Sequence, residues 1–291
     1  MIIGGASWTW WLGFHAAVIA LLAADSLLPG HRTESKNTQA IAWMWTAFLA
    51  LCAAGFAAWI AVAQGRVSAL QYVAGYTIET SLSVDNLFVF LVIFQGFRIS
   101  AARQHKALLW GVAGAVVLRG LFIVAGISLL HRFEWITYVF GLFLLYAAWR
   151  LVRGGSAHAA IPAWIRNLQP AKGSLLPVIL AVEVTDLLFA VDSIPAVLAV
   201  SHDPFIVYTS NIAAVLGLRS LYFALASLLD RFRYLHYGLG ALLAFIALKM
   251  LTARWYDLPI TISLVAMGVI LAVCAVVSLL ADRRFGKPAA H

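Results

Sequence analysis

Apolar residues dominate this chain in nine long runs, separated by short polar and basic stretches. The runs cover roughly 8–28, 41–63, 69–95, 105–129, 134–152, 174–198, 205–228, 234–251 and 259–281. A helix that crosses the hydrocarbon core of a bilayer needs about 20 such residues, so each run predicts one spanning helix. Nine spans use most of the 291 residues, and no soluble domain of ordinary size fits in the remainder. The pattern therefore predicts an all-α fold, a polytopic transmembrane bundle of about nine spans.

Composition agrees with the pattern. Apolar residues make up 63% of the chain and charged residues 11%, where a soluble domain averages about 25% charged. A water-soluble fold is excluded. The formal charge of +8 would suit a nucleic-acid partner, but the basic residues fall in alternate loops. With the N-terminus outside, fourteen of them lie on the inner side (Arg32, Lys36, Arg98, Arg103, Lys106, Arg150, Arg153, Arg166, Lys172, Arg231, Arg233, Arg283, Arg284, Lys287). Only Arg66, Arg132 and Arg254 lie outside. This is the positive-inside bias; it supports an odd number of spans with the N-terminus out and the C-terminus in, and it accounts for the basic charge without a nucleic-acid partner. Met1–Ser7 carries no Lys or Arg, so the first span lacks the basic start of a cleaved signal and is expected to be retained.

The runs also repeat. Leu129–Val152 (LLHRFEWITYVFGLFLLYAAWRLV) aligns without a gap on Leu228–Leu251 (LLDRFRYLHYGLGALLAFIALKML). Upstream, Leu118-Arg119-Gly120-Leu121-Phe122 matches Leu218-Arg219-Ser220-Leu221-Tyr222, and Leu82-Ser83-Val84-Asp85-Asn86 matches Phe189-Ala190-Val191-Asp192-Ser193. That register pairs Glu79 with Asp186. Three matches in the same order define a repeat of spans three to five against six to eight. A unit with an odd number of spans enters the membrane from opposite sides in its two copies, so two inverted three-helix repeats are expected, the usual build of secondary transporters. The chain divides into two N-terminal helices (1–66), a first repeat (67–153), a cytoplasmic linker (154–172), a second repeat (173–252), and a last helix with a basic tail (253–291).

Against this apolar background, six of the twelve acidic residues fall inside spans: Asp25, Glu79, Asp85, Glu183, Asp186 and Asp192. An ionised carboxylate at the bilayer centre costs roughly 2.5–3.5 kcal/mol on insertion scales, so each needs a partner, a proton or a cation. Arg119 and Arg219, at matching repeat positions, compensate two of them. The remainder leaves room for a divalent cation or shared protons. Oxygen donors suit manganese, calcium or magnesium better than zinc or copper, and Asn86, Asn211, Ser83, Ser193 and Thr185 add neutral oxygens. Asp192 lies six residues beyond Asp186, about 240° further round a helix, so Pro195 suggests a kink or unwound turn there. His15 reads as a satisfied core residue, and His105 as one facing headgroups or solvent. Cys52 and Cys274 read as small hydrophobes, and the many Trp near span ends as an aromatic belt.

The stretches Glu79-Thr-Ser-Leu-Ser-Val-Asp85-Asn86 and Glu183-Val-Thr-Asp186-Leu-Leu-Phe-Ala-Val-Asp192-Ser-Ile-Pro195 resemble the TerC family, as does Asp203–Asn211 through Arg219–Tyr222. The likeness is greatest to its Alx-type branch. It covers about Trp10 to Ala281 and implies a fold similar to the lysine-exporter superfamily. It further implies manganese(II) efflux across the inner membrane, with older links to tellurium resistance. Carried over, the metal ligands are Glu79, Asp85, Asn86, Glu183, Asp186 and Asp192, supported by Asp25, Arg119, Asn211 and Arg219. The loop Leu151–Lys172 departs from that branch in being shorter and free of Asp and Glu. Two functions are expected from these readings. One is a metal exporter in which manganese is the substrate, protons are the coupling ion and no prosthetic group takes part. The other is a membrane scaffold or assembly factor whose carboxylates are structural. No nucleophile and base pair suggests an enzyme.

Overall fold

The computed structural model describes residues 2–3, 6–27, 36–97, 99–133, 135–153, 174–225, 235–252, 255–256 and 258–285. Among them are nine helices of 17 residues or more: α1 (Trp8–Leu27), α2 (Lys36–Ala63), α3 (Arg66–Gly96), α4 (Ala101–Arg132), α5 (Ile136–Val152), α6 (Leu176–Leu198), α7 (Pro204–Leu225), α8 (Leu235–Thr252) and α9 (Ile260–Phe285). Each coincides with one apolar run of the sequence. A two-residue antiparallel pairing of Ile2–Ile3 with Ala6–Ser7 precedes α1. The linker at 154–172 lies outside the described residues.

Ala40–Ala63, Arg103–Ser128 and Pro204–Ala224 are long and apolar enough to cross a membrane by length and composition. Shorter apolar stretches occur at Ile136–Trp149, Gly240–Thr252 and Ile260–Cys274. In α3 and α6 the apolar character is interrupted by Glu79 and Asp85, and by Glu183, Asp186 and Asp192. The outer surface is that of a lipid-facing bundle: Leu12, Ile19, Leu51, Val124, Leu142 and Val265 are each more than half exposed, while Glu79, Arg119, Asn211 and Arg219 are buried. That inversion of the soluble pattern is what a hydrocarbon solvent selects. Trp8 at the start of α1, Trp135 just before α5 and Trp255 after α8 are exposed.

The packing of α3–α5 against α6–α8 is unchanged when the two triplets are exchanged. α3 packs on α7 and α4 on α6, each pair being the image of the other, while α3·α6, α4·α7 and α5·α8 map onto themselves. Counterpart helices run antiparallel. Ser201, just past α6, donates to Gln71 near the start of α3 (3.1 Å), and Gly75 of α3 faces Val197 of α6. Early in α4, His105 meets Arg219 late in α7, whereas Gly120 late in α4 faces Tyr208 early in α7. Gly141 at the start of α5 lies against Leu251 at the end of α8.

Close approach rests on small residues, as it commonly does between membrane helices. Gly75 leaves space for Ser210, Gly111 for Val182, Gly126 for Leu198 and Gly141 for Leu251. The α2–α3 turn uses Gly65, whose φ of 95° is in the left-handed region that favours glycine.

Candidate functional site

Four helices converge on one buried guanidinium. Arg119 of α4 donates from Nε to Asp186 Oδ2 (3.0 Å) and from Nη2 to Asp186 Oδ1 (2.7 Å). This two-pronged arrangement is the strong form of an Arg–carboxylate pair. Its Nη1 donates to Glu79 Oε1 and to Asn211 Oδ1 (3.0 Å). Asn211 Nδ2 closes the ring by donating to Glu79 Oε2 (2.8 Å), and Ser83 Oγ adds a donor to Oε1 (3.1 Å). Arg119 and Glu79 are each 1% exposed and Asn211 is 0% exposed, so the centre of the cluster is buried, with Asp186 the most open member at 9% side-chain exposure.

The sequence had paired Glu79 with Asp186 across the repeat, and the fold brings both onto one cation. Helical periodicity explains how α3 serves the site: Glu79 and Ser83 are four residues apart and share one face. Two carboxylates against one guanidinium leave the cluster with one negative charge in excess.

Glu183 is one turn before Asp186 on α6, with its carboxylate pressed onto Gly114 of α4, where a Cβ would collide with it. Its Oε2 is buried without a hydrogen-bond partner, and the same holds for Asn86 Oδ1 and Ser193 Oγ. Asn86 and Ser193 are counterparts in the repeat, each directly following an aspartate. Asp85 and Asp192 lie within α3 and α6, but their side chains are outside those described. Among the described residues, no three His, Cys, Asp or Glu are grouped as a metal site.

The second repeat arginine has different company. Arg219 Nη1 pairs with Asp25 Oδ2 of α1 (2.7 Å), and its Nη2 donates to the His105 ring of α4, 3.0 Å from Nδ1. Arg219 Nε is buried without a hydrogen-bond partner. A small cavity lined by Gly111, Ala115, Val215 and Leu218 separates Arg219 from Asp186.

Two expectations are corrected. No unwound turn occurs near Asp192: α6 continues through Pro195 to Leu198, and the Ala199 amide caps it on the Pro195 carbonyl. Pro195 brings no amide hydrogen for the Val191 carbonyl, yet the backbone stays helical through it to Leu198. His105 does not face headgroups; it is 6% exposed and held against Arg219. Nothing in its local sequence signalled this, because its partner is 114 residues away. His15 is a satisfied core residue as expected, bonded through Nδ1 to the Trp11 carbonyl (2.8 Å) and through Nε2 to Tyr208 Oη (3.0 Å).

Comparison with known proteins decides the family. The family model described as "Integral membrane protein TerC family" matches residues 64–286. The chain belongs to the TerC family. It is 39% identical to the Escherichia coli K12 protein named "Putative membrane-bound redox modulator Alx", over 95% of this chain and 96% of that one. It is also 40% identical to "Uncharacterized membrane protein STKORF319" of Myxococcus xanthus, over 94% and 92% of the two chains. It is 30% identical to the "Uncharacterized membrane protein" of Rickettsia bellii, over 90% of this chain and 96% of that one. No solved structure matches. The TerC match begins at the α2–α3 turn and takes in every residue of both arginine clusters except Asp25.

Proposed function

We propose that this TerC protein is a divalent-cation exporter of the inner membrane, with manganese(II) as its substrate. In this reading its nine helices all span the bilayer, N-terminus outside, and α3–α5 and α6–α8 form inverted repeats. The antiparallel packing of counterpart helices supports that architecture, and such repeats place a substrate site near the midplane.

The observation that carries the reading is the charge at the crossing of α3 and α6. Glu79 and Asp186, one from each repeat, are buried on a single arginine with one negative charge in excess. Asp85 and Asp192 add two more acids on the same helices, and the unpartnered oxygens of Asn86, Ser193 and Glu183 are hard donors in the same two helices. Oxygen donors of this kind suit manganese, calcium or magnesium. The family resemblance selects manganese and export. Arg119 acts as the resident cation: it binds and orients Glu79 and Asp186 in the metal-free state, and substrate competes with it for them. Binding a metal requires deprotonated carboxylates, so an inward proton flow drives release.

The Arg119 cluster also favours a second reading, in which the carboxylates are structural, because the described bonds of Glu79 and Asp186 already satisfy them. Manganese flux into proteoliposomes separates the two. The exporter reading expects wild type to move manganese, and Glu79→Gln and Asp192→Asn to reconstitute normally and move none. Absence of manganese, calcium and magnesium flux in wild type under every imposed gradient would leave the scaffold reading in its place. Efflux that ignored an imposed pH gradient would remove the proton-coupled step alone.

A further inference from the structure

Along the seam between α1 and α2 runs a groove of about 390 Å³. Trp10 and Trp59 close one end, edge to face with ring centres 4.8 Å apart, and Phe14 meets Phe56 at 5.5 Å. From there the walls are Val18 and Leu21 of α1 and Leu49 and Ala53 of α2, with Leu216 of α7 as part of the floor. The lining residues carry no charged side chain, and the Thr9 hydroxyl at the rim is bonded to Ser7 (2.7 Å). From Trp10 to Leu21 is eleven helical steps, about 16 Å at 1.5 Å per residue. That is close to half of the roughly 30 Å hydrocarbon core, the depth of one leaflet.

We infer that this groove binds one acyl chain of a membrane lipid. Water is poorly held in it, because a largely apolar cavity offers few partners for hydrogen bonds. An ion finds no charged group to recognise it, and the Tyr72 hydroxyl, which lines the groove, is buried without a hydrogen-bond partner. The groove's own lining is open at Gly13, Ala17 and Trp59, which are exposed on a chain whose family is integral to the membrane, so its mouth is continuous with the surface that touches lipid. The seated chain supplies packing that α1 otherwise lacks, since α1 packs chiefly on α7. It thereby steadies the helix that delivers Asp25 to Arg219.

Two positions make the inference testable without disturbing the core. A Cβ at Gly13 meets nothing within 4 Å, and Ala17, one turn on, also lines the groove. Phe at either position fills the space from α1. The full chain is reconstituted with a phospholipid carrying a diazirine on its acyl chain, illuminated, and mapped by peptide mass spectrometry. Labelling of Phe14–Leu21 and Leu49–Ala53 is expected to exceed that of the lipid-facing Ile262–Val273 segment several-fold. It should fall to the level of that segment in Gly13→Phe and in Ala17→Phe, either one sufficing if the other does not fold by circular dichroism. Groove labelling no higher than on α9, or unchanged in both folded variants, would overturn the inference, and so would absence of groove label.

Discussion

Arg119 and Arg219 sit in matching sequence segments, Leu118–Phe122 and Leu218–Tyr222, yet one is saturated and the other is not. Arg119 uses Nε, Nη1 and Nη2 on two carboxylates and an amide, whereas Arg219 holds one carboxylate and an imidazole and leaves Nε unmatched. The acids of both repeats, Glu79 and Asp186, have gone to the first centre. The second borrows Asp25 from α1, a helix outside the repeats. Matching sequence segments thus carry two arginines with different partners, and the neighbours, not the arginines, make the difference. Asn211, eight residues before Arg219, binds Glu79 and Arg119. Eight residues before Arg119 stands Gly111, with no side chain to offer.

The comparison breaks most completely if the saturated centre loses its cation. Arg119→Gln strands two buried carboxylates and should cost about 3–5 kcal/mol, the range for breaking one side of a buried ion pair. Denaturant unfolding in mixed micelles measures this. Arg219→Gln strands only Asp25 and should cost less, near the lower end of that range at about 3 kcal/mol. Equal losses in the two variants would mean that the count of bonds does not set the importance of either centre.

How much of this was readable beforehand follows from what sequence encodes locally. Apolar runs report bilayer thickness directly, so α1–α9 were placed to within a few residues, and the Glu79–Asp186 pairing followed from the repeat register. Convergence of Arg119 on both acids did not follow, since the register relates positions and not side-chain directions. The Asp25–Arg219–His105 cluster was less legible still. Its members come from α1, α7 and α4, and each looked like an isolated charge or a residue near a span end. The unwound turn suggested by Pro195 is not found: a proline removes one amide donor, but the sequence does not show whether packing against neighbouring helices holds the turn.

At the transport level, Glu79→Gln is expected to abolish manganese flux while costing only about 1–2 kcal/mol in stability, because Gln still accepts from Arg119 and Asp186 remains paired. Gly114→Ala acts on the same site from behind. Its methyl would meet the Glu183 carboxylate, which must swing away at an overpacking cost of about 1–3 kcal/mol. Flux per folded molecule should fall if Glu183 relays or completes the site, and stay constant if Glu183 only packs.

The finest test takes the two counterparts that break the symmetry. Asn211→Ala removes one acceptor from Arg119 and one donor from Glu79, both buried, and should cost about 1–3 kcal/mol. Gly111→Ala has no bond to lose; its new methyl meets a single Val182 methyl at 2.9 Å, which a small helix shift relieves for about 1 kcal/mol. The two losses are additive if the centres are independent, since variants without shared partners combine simply. Asp186 bonds Arg119 and also lines the cavity beside Gly111 and Arg219, so a double variant whose cost departs from the sum by more than about 0.5 kcal/mol places Asp186 in contact with both centres energetically. Additive costs would instead make the Arg119 cluster a closed unit, and the small cavity a boundary between two separate arginine sites.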